Sequence, residues 1–376
     1  MRRVEAIREQ AAVADERGAV HAHRAIMAMV APGTPLRAGL ERILAGRTGA
    51  LMVLGVDRTV EGLCDGGFRL DLEFSPTRLR ELAKMDGAVL LSADATRILG
   101  ANIQLMPDAA IPTVESGTRH RTAERVAVQT GRPVIAVSHS MSVISLYSGG
   151  QRHEVADSST ILARANQALA TLHRYRDRLD EVANALSIQE IEDATTLRDA
   201  LTVLQRLLMV RRIADELTGN VIELGTDGRL LGLQLDELVA GTEGLRELLI
   251  RDYLPDEPAP ERPLEHIVAG LDQLDGDELL DLARLARELG YHTPTDSLDG
   301  HVSSRGHRLL ARIPRVPPAV LDRLVTHFES LQGVLAATAA DLQTVDGVGE
   351  ARARVIREGL SRLVETSLSD RPPQRW

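Results

Sequence analysis

Residues 84–140 read KMDGAVLLSADATRILGANIQLMPDAAIPTVESGTRHRTAERVAVQTGRPVIAVSHS. Two apolar runs, AVLLS at 88–92 and RILGANIQL at 97–105, read as strands, and PVIAVS at 133–138 reads as a third. Between them RHRTAERVAVQTG, 119–131, has helical spacing and stops at a glycine. Working outward, LRAGLERILAG (36–46) and TRLRELAKM (77–85) predict helices, and ALMVLGV (50–56) and SVISLY (142–147) predict strands. Residues 1–150 are therefore expected to form an α/β domain with a mixed β-sheet flanked by helices.

The texture changes near residue 158. Leucines and alanines recur at helical spacing over 159–187 and 194–217, with further helical runs at 235–254 and 276–291. PDEPAPERP at 255–263 marks a loop, and the tail RPPQRW is expected to be mobile. Residues 151–306 thus form an all-α spine without evident chemistry, whose apolar faces can support oligomerisation. Residues 307–376 form a third, helical domain.

Composition narrows the function classes. At 376 residues, with 44% hydrophobic and 26% charged residues, the chain has material for two or three globular domains. A net charge of −10 excludes a surface coated with positive charge, so any nucleic-acid contact must be local. Cys64 is the only cysteine, which rules out an internal disulfide and a thiolate zinc site. No apolar run is long enough for a signal peptide or a membrane span, so a cytoplasmic protein without membrane contact is expected. Lys84, the only lysine, follows Ala83; a P-loop needs its lysine directly after a glycine, so no Walker-type ATPase is present.

In LQTVDGVGEARARVIREGL, 342–360, a short helix ends near Val345, Gly347-Val348-Gly349 makes a tight turn, and a new helix starts near Glu350. Glycines adopt positive φ at little steric cost and let another backbone come close. The helix start offers free N–H groups to an anion, and Arg352 and Arg354 can add charge-assisted bonds to a phosphate. Such contacts grip a nucleic-acid backbone without reading bases. This segment resembles the helix-hairpin-helix motif, and Ile313-Pro314-Arg315-Val316-Pro317 resembles a degenerate first copy. Repair glycosylases that carry this hairpin often place a catalytic lysine or aspartate just beyond it, and the single lysine here is far away, which weakens that reading.

Asp86-Gly87-Ala88 falls between a helix and a strand, so the carboxylate projects from a connection while two small residues leave room for a ligand. Alone, Asp-Gly is only a turn signal. Ser116 to Thr122 leads into the amphipathic helix; Thr118 or Thr122 can cap it, and its N-terminus favours phosphate. Arg119 and Arg121 supply planar donor forks, with His120 between them as a further donor. The competing reading is a solvated basic loop paired with acids such as Glu115 and Glu124. In Ser138-His139-Ser140, neighbouring side chains on a strand point to opposite faces, which argues against a hydrolase.

Asp86-Gly87-Ala88, the string Gly117 to Arg125, a helical middle and a terminal hairpin occur in an order that resembles the DNA integrity scanning family of diadenylate cyclases over essentially the whole chain. The resemblance implies condensation of two ATP into cyclic di-AMP and two pyrophosphates with Mg²⁺ or Mn²⁺. It implies that Asp86 holds the metal and activates the ribose 3′-hydroxyl, and that Gly87 and Ala88 lie against the nucleotide. Leu105 is implied at the base or ribose, Thr118, Arg119, His120, Arg121 and Thr122 around the phosphates, and Ser138 toward the triphosphate. For Gly347, Gly349, Arg352 and Arg354 it implies contact with branched DNA, and for the assembly an octamer with active sites between facing protomers. The alternatives are a repair accessory that binds branched DNA and nucleotide without catalysis, and a structural oligomer built on the helical middle.

Overall fold

A computed structural model describes residues 22–139, 141–255, 263–291 and 298–369, with the side chains of 367–369 left aside. Ser140, the N-terminal segment, most of the loop at 255–263 and the tail RPPQRW lie outside the described residues. The chain divides into two compact units: one ends at Gln167 and includes Leu217–Gln234; the other comprises Ala168–Glu216 and the chain from Leu235 onward.

The first unit holds an eight-stranded sheet in the order β2-β5-β4-β1-β6-β7-β8, with β3 also paired to β5. The strands are β1 (Ala50–Leu54), β2 (Cys64–Asp65), β3 (Phe68–Glu73), β4 (Ala88–Leu91), β5 (Arg97–Leu105), β6 (Val134–Ser138), β7 (Val143–Ser148) and β8 (Gln151–Glu154). Only β1 and β4 run parallel; every other pair is antiparallel, so the sheet is mixed as expected. Alternation along the central strands feeds two cores. Met52, Leu54, Val89, Leu91, Ile135 and Val137 face one side, where α1 (residues 22–29) and α2 (Pro35–Ala45) pack with Leu79 of α4 (Pro76–Leu82). Leu51, Val53, Ala88, Leu90, Val134 and Ala136 face the other, under Val60 of α3 (Arg58–Glu61) and α5 (Thr118–Thr130). Burial on both faces explains why these strands read as unbroken apolar runs.

Helix starts follow local chemistry. Thr34 and Ser75 accept hydrogen bonds from the Arg37 and Arg78 amides, each at 3.2 Å, and Pro35 and Pro76 occupy the first helical turn. The long helices α6 (Ser158–Ile191) and α7 (Leu197–Leu224) follow, then α8 (Arg229–Val239) and α9 (Leu245–Asp252). The run at 235–254, expected to be helical throughout, is interrupted between α8 and α9, where Gly241 and Gly244 take φ of +75° and +70°. The helices α10 (Leu264–Gln273) and α11 (Leu282–Leu289) complete the middle of the chain.

The second unit ends in α12 (His307–Leu310), α13 (Pro318–Phe328), α14 (Leu331–Ala336), α15 (Ala339–Gln343) and α16 (Glu350–Ser369), which share a core of Leu310, Ile313, Leu324, Leu342, Ile356 and Leu360. Its buried charges are paired. The Arg308 guanidinium meets Glu190 and donates to Ser187 at 3.1 Å, Tyr253 donates to Glu190 at 2.6 Å, and Asp252 accepts from the His307 and Arg308 amides. Burial pushes the Glu190 carboxyl upward and the Arg308 charge opposes it. Among the described residues no helix is long and apolar enough to cross a membrane.

Candidate nucleotide site

Strand register gathers the candidate residues at one end of the sheet. Leu51 of β1 pairs with Ala88 in the parallel β4, Ala50 pairs with Val137 in the antiparallel β6, and Ala88 pairs with Ile103 on β5. The starts of β1 and β4 therefore lie beside the ends of β5 and β6, which places Asp86, Gly87, Ala88, Leu105 and Ser138 together. Asp86 is exposed, and its carboxylate has no hydrogen-bond or ion-pair partner among the described residues. The Gly87 amide donates to the Met85 carbonyl at 3.0 Å, tightening the turn that presents it.

Gly87 departs from the expectation of open room. A Cβ there would lie 2.5 Å from the Asn102 carbonyl carbon and 2.8 Å from the Ile103 nitrogen, so β5 backbone fills the space. Asn102 itself has φ of +55°, within a stretch of irregular β4–β5 register. The Ala88 methyl is likewise buried, sharing a core with Leu105, Ile103 and Ala123. Small size at 87 and 88 thus serves sheet packing first. Ser138 closes β6 and accepts from the Met141 amide at 3.4 Å. His139 lies past the strand end, so the opposite-face argument does not apply to this pair.

The start of α5 also differs from expectation. Gly117, not a threonine, is the N-cap, and no side chain caps the helix; Thr118 is its first residue and Thr122 lies inside it. Its first amides are left without a side-chain acceptor, which suits an anion. The side chains of Arg119 and Arg121 make no hydrogen bond or ion pair among the described residues. The acids that could have neutralised them are engaged elsewhere. Glu115 accepts from Tyr147 at 2.9 Å and pairs with Arg152 at 3.2 Å, while Glu124 takes the Thr113 hydroxyl. Arg125 donates to the Ile111 and Ala109 carbonyls, each at 2.9 Å, and Gln129 accepts from the Asp108 amide at 2.9 Å, so one helix face ties down the loop before it.

Sequence reading missed Gly49. The Arg119 guanidinium lies where a Cβ on Gly49 would stand, just before β1. Gly49→Ala is expected to displace Arg119 and weaken ATP binding about tenfold, the value of one charge-assisted hydrogen bond, with the melting temperature little changed. Calorimetric titration beside a thermal melt checks this; unchanged affinity would detach Arg119 from the site.

His120 is turned inward and is 8% exposed. Its Nδ1 lies 2.8 Å from the Tyr147 hydroxyl, and its Nε2 has no partner among the described residues. Burial pushes its pKa below the ordinary value; the Glu115 carboxylate pulls the other way, and the Arg152 and Arg119 charges add to the lowering. Burial, followed by Glu115, holds the Tyr147 phenol above its usual range. Tyr147, Glu115 and Arg152 carry no signal in the local sequence, because strand pairing alone delivers Tyr147 and Arg152 to this helix.

In the second unit, two helix connections each pass through a residue with positive φ. Gly347 has φ of +84° between buried Val345 and Val348; Arg315 has φ of +65° between buried Ile313 and Val316. The packing is reciprocal: Arg323 of α13 donates to the Asp346 carbonyl at 2.8 Å, and a Cβ on Gly359 of α16 would sit 2.6 Å from Ile313. The Arg352 guanidinium donates to the Gly347 carbonyl, and Arg354 is exposed.

Comparison with known proteins agrees with this layout. Residues 37–152 match the family model described as DisA bacterial checkpoint controller nucleotide-binding, and residues 155–298 match the DisA bacterial checkpoint controller linker region. The chain is 60% identical over 349 residues to a Streptomyces coelicolor protein named DNA integrity scanning protein DisA, covering 93% of each. Proteins of the same name from Frankia alni (61% over 348 residues) and Acidothermus cellulolyticus (60% over 357) are covered to 97% of their length, by 93% and 95% of this chain. The chain belongs to the DisA family. The sheet from β1 to β7, α5 and every candidate residue from Asp86 to Ser138 lie inside the family's nucleotide-binding region, which ends within β8. A divalent ion is compatible with this DisA site only as a companion of substrate. Asp86 is a free carboxylate, yet no group of three or more His, Cys, Asp or Glu able to hold a metal occurs among the described residues. A magnesium-like ion commonly binds in this way, through one carboxylate and phosphate oxygens.

Proposed function

We propose that this chain is a diadenylate cyclase that condenses two ATP into cyclic di-AMP and two pyrophosphates, coupled to sensing of branched DNA by a C-terminal helix-hairpin-helix domain. The supporting observation is that Arg119 and Arg121, at an uncapped helix start, and the exposed Asp86 carboxylate are all left unpaired at one end of the sheet. Unpaired charges of both signs beside free amides suit a phosphorylated ligand and its counter-ion.

In each half-reaction the 3′-oxygen of one ATP bonds to the α-phosphorus of the other, the bond to the β-phosphate oxygen breaks, and the hydroxyl proton leaves to solvent. The chain's residues supply position and charge. Arg119 and Arg121 neutralise the triphosphate, α5 amides fix it, and Gly87, Ala88, Leu105, Thr118, Thr122 and Ser138 line the nucleotide. Asp86 would hold Mg²⁺ or Mn²⁺ together with the substrate, and the ion would supply positive charge that lowers the hydroxyl's pKa and offsets the charge of the departing pyrophosphate. Since each ATP attacks the other, two sites must face one another across a two-fold axis, as in an octamer of facing protomers. Gly347, Gly349, Arg352 and Arg354 grip DNA phosphates.

Mass-spectrometric product analysis after incubation with ATP and either metal, with and without a four-way junction, tests this reading. Cyclic di-AMP is expected. Its absence with both metals would overturn the enzyme assignment, and ATP retained unchanged on the protein would leave the accessory reading.

A further inference from the structure

The ring of His120 is held in a defined protonation pattern. Glu115 is a carboxylate that only accepts, so the Tyr147 hydroxyl spends its proton on Glu115 Oε1 at 2.9 Å. The Tyr147 oxygen can then only accept along its 2.8 Å contact with His120 Nδ1, which must carry the ring proton. Arg152 pairs with Glu115 at 3.2 Å and also donates to Ser145 at 3.3 Å. The result is a neutral imidazole whose Nε2 presents a lone pair, buried and without a partner among the described residues. The edge of the ring bearing Nε2 lies under Gly117, where a Cβ would stand 3.8 Å from Cδ2.

A lone pair cannot bond to a phosphate oxygen, which is also an acceptor. We propose that Tyr147 and Glu115 are positioning residues that lock His120 as its Nδ1–H tautomer, reserving Nε2 for a hydrogen-bond donor on the adenosine half of the bound nucleotide. That donor is an O–H or N–H, and the phosphates are left to Arg119 and Arg121. This inference rests on the nucleotide-binding reading above and changes the part His120 plays in it.

Two measurements on the full chain test it. Nitrogen-15 spectra of labelled histidines, with His120 assigned by its loss in His120→Gln, should show Nε2 unprotonated at neutral pH in the free protein. A proton on Nε2 overturns the relay whatever the protein binds. Titration of wild type and Tyr147→Phe with ATP and with inorganic tripolyphosphate should show ATP affinity falling about five- to tenfold, the worth of one buried hydrogen bond, and tripolyphosphate affinity unchanged. Equal losses for both ligands make His120 a phosphate ligand, and no loss for either means that Nε2 meets only water; each outcome defeats the proposal. If Tyr147→Phe does not fold, His120→Asn and His120→Gln replace it. Glutamine, which places an acceptor near Nε2, should keep more ATP affinity than asparagine, and the reverse order counts against the assignment. ATP analogues lacking the 2′-hydroxyl, the 3′-hydroxyl or the 6-amino group identify the donor by which one abolishes the difference between wild type and variant. Failure of wild type to bind ATP at all would instead remove the nucleotide reading, while the tautomer measurement still judges the relay.

Discussion

Asp86→Asn is expected to abolish cyclic di-AMP formation while the protein stays folded and binds ATP. The carboxylate is exposed and makes no hydrogen bond or ion pair among the described residues, and the turn presenting it is closed by backbone, from the Gly87 amide to the Met85 carbonyl at 3.0 Å. Asparagine keeps the shape and removes only the charge, so stability should shift by less than about 0.5 kcal/mol, as for other surface sites. On the proposed reading, Arg119, Arg121 and the α5 amides should still hold the triphosphate. If Asp86 is the anionic ligand for the metal, product formation should fall by at least about a thousandfold, the scale of losing a principal electrostatic contribution at the reacting centre. Product analysis, a thermal melt and an ATP titration on the same preparation separate the alternatives. Retained synthesis by a folded variant would remove Asp86 from the chemistry; lost ATP binding would make it part of the binding surface.

This contrast between a free Asp86 and an enclosed Gly87 also shows where sequence reading reached and where it stopped. The central strands were legible because both their faces are buried, which writes continuous apolar runs such as AVLLS and PVIAVS. The outer strands were not. Phe68–Glu73 does alternate apolar and charged residues, a strand signal that the reading passed over, while Gln151–Glu154 is polar and largely exposed and the two-residue β2 is too short to have a pattern. The two site strings were visible, but their internal division of labour was not. Arg119 and Arg121 stay unpaired while Arg125, of the same residue type and four positions on, pins a loop. His120 lies between the two arginines in sequence, yet the helical rotation between neighbours turns it into the protein. Gly49 and Tyr147 were beyond reach for the same reason: each meets α5 only through strand pairing, at sequence separations that local patterns do not span.

Replacing Arg352 and Arg354 together by alanine is expected to weaken binding to branched DNA by about tenfold or more and to make it markedly less sensitive to salt. The turn before α16 holds Gly347 at φ of +84°, and the Arg352 guanidinium donates to the carbonyl of that residue, so its charge is fixed beside the turn. Arg354 is exposed two residues further along the helix. If each meets one phosphate, the slope of log affinity against log salt should flatten by about two, since each neutralised phosphate releases close to one counter-ion. The first turn, centred on Arg315 with φ of +65°, retains its own backbone amides, so binding should be weakened but not lost. Neither arginine contributes a side chain to the buried core of Val345, Val348, Ala353 and Ile356, and the unfolding transition should stay in place. Fluorescence anisotropy with a four-way junction at about 50 to 200 mM salt measures both quantities. An unchanged slope would show that α16 does not meet phosphate, and a changed affinity that depends on the junction's base sequence would show that the hairpins read bases instead of gripping backbone.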